Sequence, residues 1–247
     1  MSDEAVMKVE RVSIRYGTQR VIEDVSFAVA RGSVFALLGR NGAGKSSLIR
    51  CLLGLQKPET GRVRLFGADV WSERMKVLGR TAYVPETFDA PAGLRVRDVA
   101  AFHRAMYSNW DPAGFAGRLA RFRVPETSVV SSLSKGQKAL FSLALALGHR
   151  PEILVLDDPT LGLDVVARNE FFSDFIGELA DRGVTVVLTT HDLAGVEGIA
   201  ERVGILAGRH LVLEGEVEAL KAERGRSLEQ IFTDVTREAQ LAREEGQ

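Results

Sequence analysis

Gly39-Arg40-Asn41-Gly42-Ala43-Gly44-Lys45-Ser46 lies between the continuous apolar stretch Val34 to Leu38 and a helix-like run from Lys45 to Leu53 that Gly54 ends. A glycine, four residues and then Gly-Lys-Ser is the phosphate-loop spacing, and the buried strand before it and apolar helix after it are the context that spacing needs. The glycines let the backbone curl so that successive N–H groups point inward, and the helix start behind them favours negative charge. Lys45 is placed to reach the β- and γ-phosphates, and Ser46 to hold Mg²⁺. The segment therefore predicts a nucleoside triphosphate site.

Outward from the loop, Val12, Ile14 and Tyr16 alternate, Val21 to Val29 forms a second run, and Gly61 to Phe66 a further strand. Helical spacing takes over from Leu94 to about Val130, with Val96, Val99, Ala100, His103, Met106 and Tyr107 on one face. That insertion holds six arginines (95, 97, 104, 118, 121 and 123) against Asp98, Asp111 and Glu126, so one face is mildly basic. A helix from near Ser134, a strand Ile153 to Leu156, a helix over about 165 to 181 and a strand Val184 to Leu188 follow. This alternation predicts an α/β fold, a P-loop NTPase core with a parallel sheet flanked by helices. An N-terminal antiparallel β subdomain precedes it, and a helical subdomain over about 94–132 is inserted. Residues 1–225 form the expected domain and 226–247 a helical tail, with Leu228, Ile231, Phe232 and Val235 on one face.

The chain has 247 residues, 32 Lys plus Arg against 33 Asp plus Glu, and 45% hydrophobic residues. That apolar content fits a packed core and excludes wholesale disorder. A net charge of -1 gives no global attraction to nucleic acid or to anionic lipid. One cysteine, Cys51, cannot form an internal disulfide. It lies in the helix after the phosphate loop and reads as a small buried side chain. The acidic start and the lack of about 18 consecutive apolar residues predict a soluble, cytosolic chain.

Two further elements carry chemistry. Ile153-Leu154-Val155-Leu156-Asp157-Asp158 delivers two carboxylates to a strand's C-terminal end, where ligands gather in parallel sheets. Asp157 is placed to act on Mg²⁺ and Asp158 to polarise an attacking water; a plain strand end capped before Pro159 is the bland alternative. Leu133-Ser134-Lys135-Gly136-Gln137 has the S-x-x-Q spacing of a capping box, and a helix start bearing Ser and Gly also suits an anion. In isolation it is only a well-capped core helix. His191 follows an apolar strand at the same expected sheet edge as Asp158, whereas His103, His149 and His210 read as packing or surface residues. Tyr16 ends an early strand just before Gly17, where an aromatic face is available for stacking.

The set GRNGAGKS, LSKGQ, ILVLDD, then Gly162-Leu163-Asp164 and Thr190-His191-Asp192, resembles the nucleotide-binding subunit of ATP-binding-cassette transporters, over about residues 8 to 215. The resemblance implies ATP and Mg²⁺ as cofactors, with Gly39, Asn41, Gly42, Ala43, Gly44, Lys45, Ser46 and Ser47 around the phosphates and Tyr16 on the adenine. It makes Ser134, Gly136 and Gln137 a signature motif that completes the ATP site of a second, head-to-tail subunit. Asp164 then lies at that dimer interface, and His191 is a switch residue touching the γ-phosphate. Ser46, Glu86 and Asp157 are the implied metal ligands; Lys45, Glu86, Asp158 and His191 are the implied catalytic groups.

Three positions depart from the family pattern. Asp158 stands where glutamate is usual, withdrawing the carboxylate by about 1 Å, a scale of misplacement that can cost about 100-fold in rate. Glu86, after Tyr83-Val84-Pro85, replaces a glutamine, and Lys135 replaces a glycine. With the Asn109-Trp110-Asp111 turn, these features are similar to a branch whose members mostly serve export. The expected protein is an ATP-hydrolysing subunit held at the inner face of the cell membrane by a separate transmembrane permease, and it binds no nucleic acid. The alternatives are a soluble cassette ATPase with no membrane partner, or an ATP-gated module with weak hydrolysis. Lys45 and Leu133 lie too close in sequence for the long coiled-coil insertion of chromosome-type members.

Overall fold

The computed structural model describes residues 5–160, 163, 168, 171, 176, 179, 182–191 and 193–245. Strands β1 (Ala5–Tyr16), β2 (Gln19–Ala30), β4 (Thr60–Leu65) and β5 (Ala68–Asp69) form an antiparallel sheet in the order β2-β1-β4-β5. A second sheet runs β10-β9-β3-β8-β7-β6, from β3 (Val34–Gly39), β6 (Thr81–Val84), β7 (Ile153–Asp157), β8 (Thr185–Thr190), β9 (Arg202–Ala207) and β10 (His210–Glu216). Its neighbours are parallel except β9 and β10, which pair antiparallel, so the sheet is mixed rather than wholly parallel.

Alternation along the central strands assigns each face. Phe35, Leu37, Ile153, Val155 and Val187 meet the core shared with β1, β2 and helix α1 (Lys45–Leu52), where Ile14, Ile22, Leu48 and Ile49 are buried. Ala36, Leu38, Leu154, Leu156 and Leu188 meet the opposite core, built with Phe141 and Leu145 of helix α5 (Lys135–Ala146). Successive strand side chains point to opposite faces, so two filled cores require β3 to be apolar throughout; its residues Val34 to Leu38 are at most 2% exposed. Each of the larger of these side chains, Ala36 excepted, contributes about 1.5–3 kcal/mol of burial.

The expected helical insertion is two helices. Beyond α2 (Arg74–Leu78), α3 (Val96–Met106) ends at Tyr107, and α4 (Pro112–Arg121) starts afresh. Asp111 caps α4, accepting from the Gly114 N–H at 3.0 Å, and Pro112 occupies the first turn, where its missing N–H costs nothing. The helix expected over about 165 to 181 lies largely outside the described residues, as do Gly162, Asp164 and Asp192. Short helices α6 (Leu193–Glu197) and α7 (Val217–Arg224) lead to α8 (Leu228–Glu245). Leu228, Ile231 and Val235 of α8 are buried in the same core that α5 helps to build. A capping box not anticipated from the sequence starts α8: Gln230 N–H donates to Ser227 Oγ at 3.3 Å, and Ser227 N–H to Gln230 Oε1 at 3.1 Å. Among the described residues no helix is long and apolar enough to cross a membrane.

At the sheet end remote from the phosphate loop, Glu152 accepts from Arg80 Nη2 at 2.9 Å and Arg31 Nη1 at 2.8 Å. The Arg80 hydrogen bond, ahead of that from Arg31, pulls the Glu152 carboxyl down to about 2 from 4.5, against opposing desolvation. A depressed carboxyl stabilises the fold above its unfolded value, and the contribution is lost as pH falls through the folded one. These side chains are half exposed, so the set contributes about 1 kcal/mol at most. Glu152→Gln is expected to lower the thermal denaturation midpoint by about 2–4 °C at neutral pH. Melting curves across pH should show that gap intact above 4.5 and closing as pH falls toward about 2.

Candidate active site

The phosphate loop follows the last residue of β3 directly. Gly42 and Gly44 take φ of 80° and 101°, left-handed values that side chains rarely adopt. A Cβ on Gly44 would lie 2.5 Å from Ile22 Cδ1, so the loop's floor is pressed against β2. The curl ends at α1, which starts without a side-chain cap and leaves its first N–H groups available to an anion. Lys45 is buried and folds back, donating to the carbonyls of Gly39 at 2.6 Å and Arg40 at 3.3 Å. Burial lowers its pKa below the ordinary lysine value, opposed by Asp158, Asp157 and Glu86. Those three carboxylates therefore all lie within electrostatic reach of the ammonium.

Asp157 ends β7 on the face that covers α1, because Val155 and Ile153, two and four residues earlier, do the same. Its Oδ1 accepts from Ser46 Oγ at 3.3 Å and from Thr189 Oγ1 at 2.7 Å. Asp158 follows with φ of 45°, and its N–H donates to the Thr189 carbonyl at 2.9 Å. That left-handed residue, unusual without glycine, turns the carboxylate toward His191, whose Nδ1 lies 2.6 Å from Asp158 Oδ2. Asp158 Oδ1 is buried with no hydrogen-bond partner. Such an orphan costs about 1–3 kcal/mol, which fits a position shaped for a ligand's proton.

The structure thus brings Gly39, Lys45, Ser46, Asp157, Asp158 and His191 into one network, with Glu86 exposed nearby. Tyr16 is 42% exposed, and its hydroxyl donates to Gln56 Oε1 at 2.5 Å and lies 3.3 Å from Ser47 Oγ, so it stands over the helix after the loop. Arg40, Asn41, Gly42 and Ala43 line one wall of a cavity of about 430 Å³; Thr236, Ala239 and Gln240 of α8 form the other. Arg40 Nη1 reaches Gln240 Oε1 at 3.4 Å.

Ser134–Gln137 form a local arrangement of their own. The expected capping box is present: Gln137 N–H donates to Ser134 Oγ and Ser134 N–H to Gln137 Oε1, both at 3.1 Å. Gln137 Nε2 also donates to the Arg123 carbonyl of the helical insertion at 3.0 Å. Among the described residues no hydrogen bond or ion pair joins Ser134–Gln137 to residues 39–47 of the same chain. A Cβ on Gly136 would lie 3.0 Å from Leu163. His149 is buried and stacks on Tyr107 at 4.1 Å, while burial pushes the Cys51 thiol up to about 12, which keeps it unreactive. Thr189 was not anticipated; an expected strand end at Leu188 left it outside, and it is buried at the centre of the network.

The profile of the family described as "ABC transporter" matches residues 22–161, which carry the phosphate loop, Ser134–Gln137 and both aspartates. The chain belongs to the ABC transporter family. It is 34% identical over 237 residues to the "Nod factor export ATP-binding protein I" of Paraburkholderia xenovorans (strain LB400), covering 93% of this chain and 77% of that one. It is 28% identical over 218 residues to the "ABC transporter ATP-binding protein YtrB" of Bacillus subtilis (strain 168), covering 88% and 74%. Among solved structures, one described as "Structure of ATP binding subunit of ABC transporter" superposes with a TM-score of 0.84 at 28% identity, covering 94% of this chain and 99% of that one. As an ABC transporter ATP-binding subunit, the chain belongs to a group that binds and hydrolyses ATP to drive transport.

Proposed function

We propose that this ABC transporter subunit powers export by closing head to tail on a second subunit, each ATP lying between one phosphate loop and the partner's Ser134, Gly136 and Gln137. The open start of α5 carries this reading. Ser134 and Gln137 cap the helix, Gln137 bonds to the Arg123 carbonyl, and among the described residues no hydrogen bond or ion pair ties them to their own chain's phosphate loop, which leaves them for a second subunit's nucleotide. Export is supported by the similarity to a Nod factor export protein.

In this reading the β- and γ-phosphates displace the Gly39 and Arg40 carbonyls from Lys45, and the loop N–H groups take the remaining charge. The residues fit Mg²⁺: Ser46 Oγ and Asp157 Oδ1 are 3.3 Å apart, hard oxygens beside a carboxylate-rich cleft. Mg²⁺ usually takes one or two protein carboxylates plus phosphate and water. Ser46, Asp157 and Glu86 would hold it, and it would supply charge neutralisation on the phosphates. Asp158 orients a water and accepts its proton as the water oxygen attacks γ-phosphorus and the bond to the bridging oxygen of ADP breaks. His191 fixes Asp158 and faces the γ-phosphate, while Tyr16 supports the adenine.

Residues 1–225 act as the ATPase domain, and the helical insertion as the face that meets the membrane subunit. A groove of about 470 Å³ there is lined by Leu55, Tyr83, Phe88, His103 and Tyr107, with exposed Phe102 and Met106 on α3 nearby. An apolar opening beside the loop that carries Glu86 suits a helix end of a permease on the inner side of the membrane. Affinity purification of the tagged chain from its own cells in mild detergent is expected to recover a polytopic membrane protein with two ATP-binding subunits. Recovery alone, or only with proteins lacking membrane spans, would sink the proposal.

A further inference from the structure

We propose that Thr189 is a positioning residue that sets the direction in which the Asp157 carboxylate meets the divalent cation. The inference rests on the reading of Asp157 as a cation ligand. Asp157 and Thr189 are directly paired across the parallel β7–β8 ladder, so their side chains share the face that covers α1. Thr189 is 0% exposed, within a strand whose Val186, Val187 and Leu188 are apolar. A hydroxyl buried at that depth is unfavourable unless it is bonded, and valine would match its shape.

The hydroxyl is bonded twice, and both bonds serve the acidic pair. Thr189 Oγ1 donates to Asp157 Oδ1 at 2.7 Å and accepts from the Asp158 N–H at 3.3 Å. Thr185, at the other end of the same strand, instead accepts from the Gly32 N–H at 2.9 Å, a purely structural bond. Because a carboxylate is planar, pinning Oδ1 fixes where Oδ2 points. Ser46 shares Oδ1, but its hydroxyl is itself an expected cation ligand, so the Thr189 bond is the one that remains when the site is loaded. Partners of this kind typically contribute 10–100-fold to metal affinity, roughly the scale expected here.

The test compares wild type, Thr189→Val, Thr189→Ser and Asp157→Asn by the rise in thermal denaturation midpoint that ATP produces, first in EDTA and then across a Mg²⁺ titration. Thr189→Val should keep the stabilisation by ATP in EDTA, while its half-saturating Mg²⁺ concentration rises about 10-fold. Thr189→Ser, which keeps the hydroxyl, should titrate as wild type. Thr189→Ala carries the same expectation as valine if the latter does not fold. Unchanged Mg²⁺ dependence in Thr189→Val beside a shifted Asp157→Asn overturns the positioning role. An equal shift in Thr189→Ser overturns it too, by showing that shape and not the hydroxyl matters. An unshifted Asp157→Asn would instead remove the underlying reading of Asp157.

Discussion

Lys45→Ala is expected to reduce ATP hydrolysis to background, a loss of at least 100- to 1000-fold, the scale of deleting one preorganised donor to a developing anion. The environment makes the effect large. The ammonium is buried and within electrostatic reach of Asp157, Asp158 and Glu86. Without it, a cleft already rich in carboxylates must accept several phosphate charges on backbone N–H groups alone. Phosphate release at saturating Mg²⁺-ATP measures the loss, and an unchanged melting curve without nucleotide shows that the fold survives. Turnover persisting in this variant would disprove the site.

Asp158→Asn is expected to cost 100- to 10,000-fold in turnover, roughly the general-base contribution, while leaving ATP binding intact. The substitution preserves shape and removes the negative charge, and with it the ability to take a proton. The variant should therefore accumulate an ATP-bound dimer visible by size-exclusion chromatography, whereas a variant that neither binds nor dimerises would assign Asp158 a structural role. Asp158→Glu separates reach from fit. With Asp158 Oδ2 already 2.6 Å from His191 and the backbone in a left-handed turn, an added methylene drives the carboxylate past its partner. Turnover is expected to fall; a rise would show that reach limits the native enzyme.

The phosphate loop, the acidic strand and the Ser134 cap were legible because each is a local pattern. Glycine spacing, a continuous apolar run and S-x-x-Q act within a few residues of chain and need no knowledge of neighbours. What sequence left out depends on strand order. Thr189 meets Asp157 only because β8 lies between β3 and β7, an arrangement written in no single segment. The β9–β10 hairpin was likewise unread, although Gly208-Arg209 marks its turn, and it makes the sheet mixed. Lys45 folding onto Gly39 and Arg40 is a choice of rotamer among loop carbonyls, beneath the resolution of any motif. The break between α3 and α4 was written locally in Asp111-Pro112, but the continuing helical periodicity concealed it.

The hydrogen bond between Arg40 and Gln240 joins residues 200 positions apart in the chain. The outer shoulder of the phosphate loop faces α8 across a cavity, and α8 is anchored at its other end by Leu228, Ile231 and Val235 in the core. Through that one hydrogen bond and the shared cavity, the outer shoulder of the loop is coupled to α8. The inner wall of the nucleotide site is thus held by residues within the motifs, and its outer wall by a segment no motif describes. Sequence drift along α8 can tune how readily the loop closes on its substrate while every catalytic group stays the same.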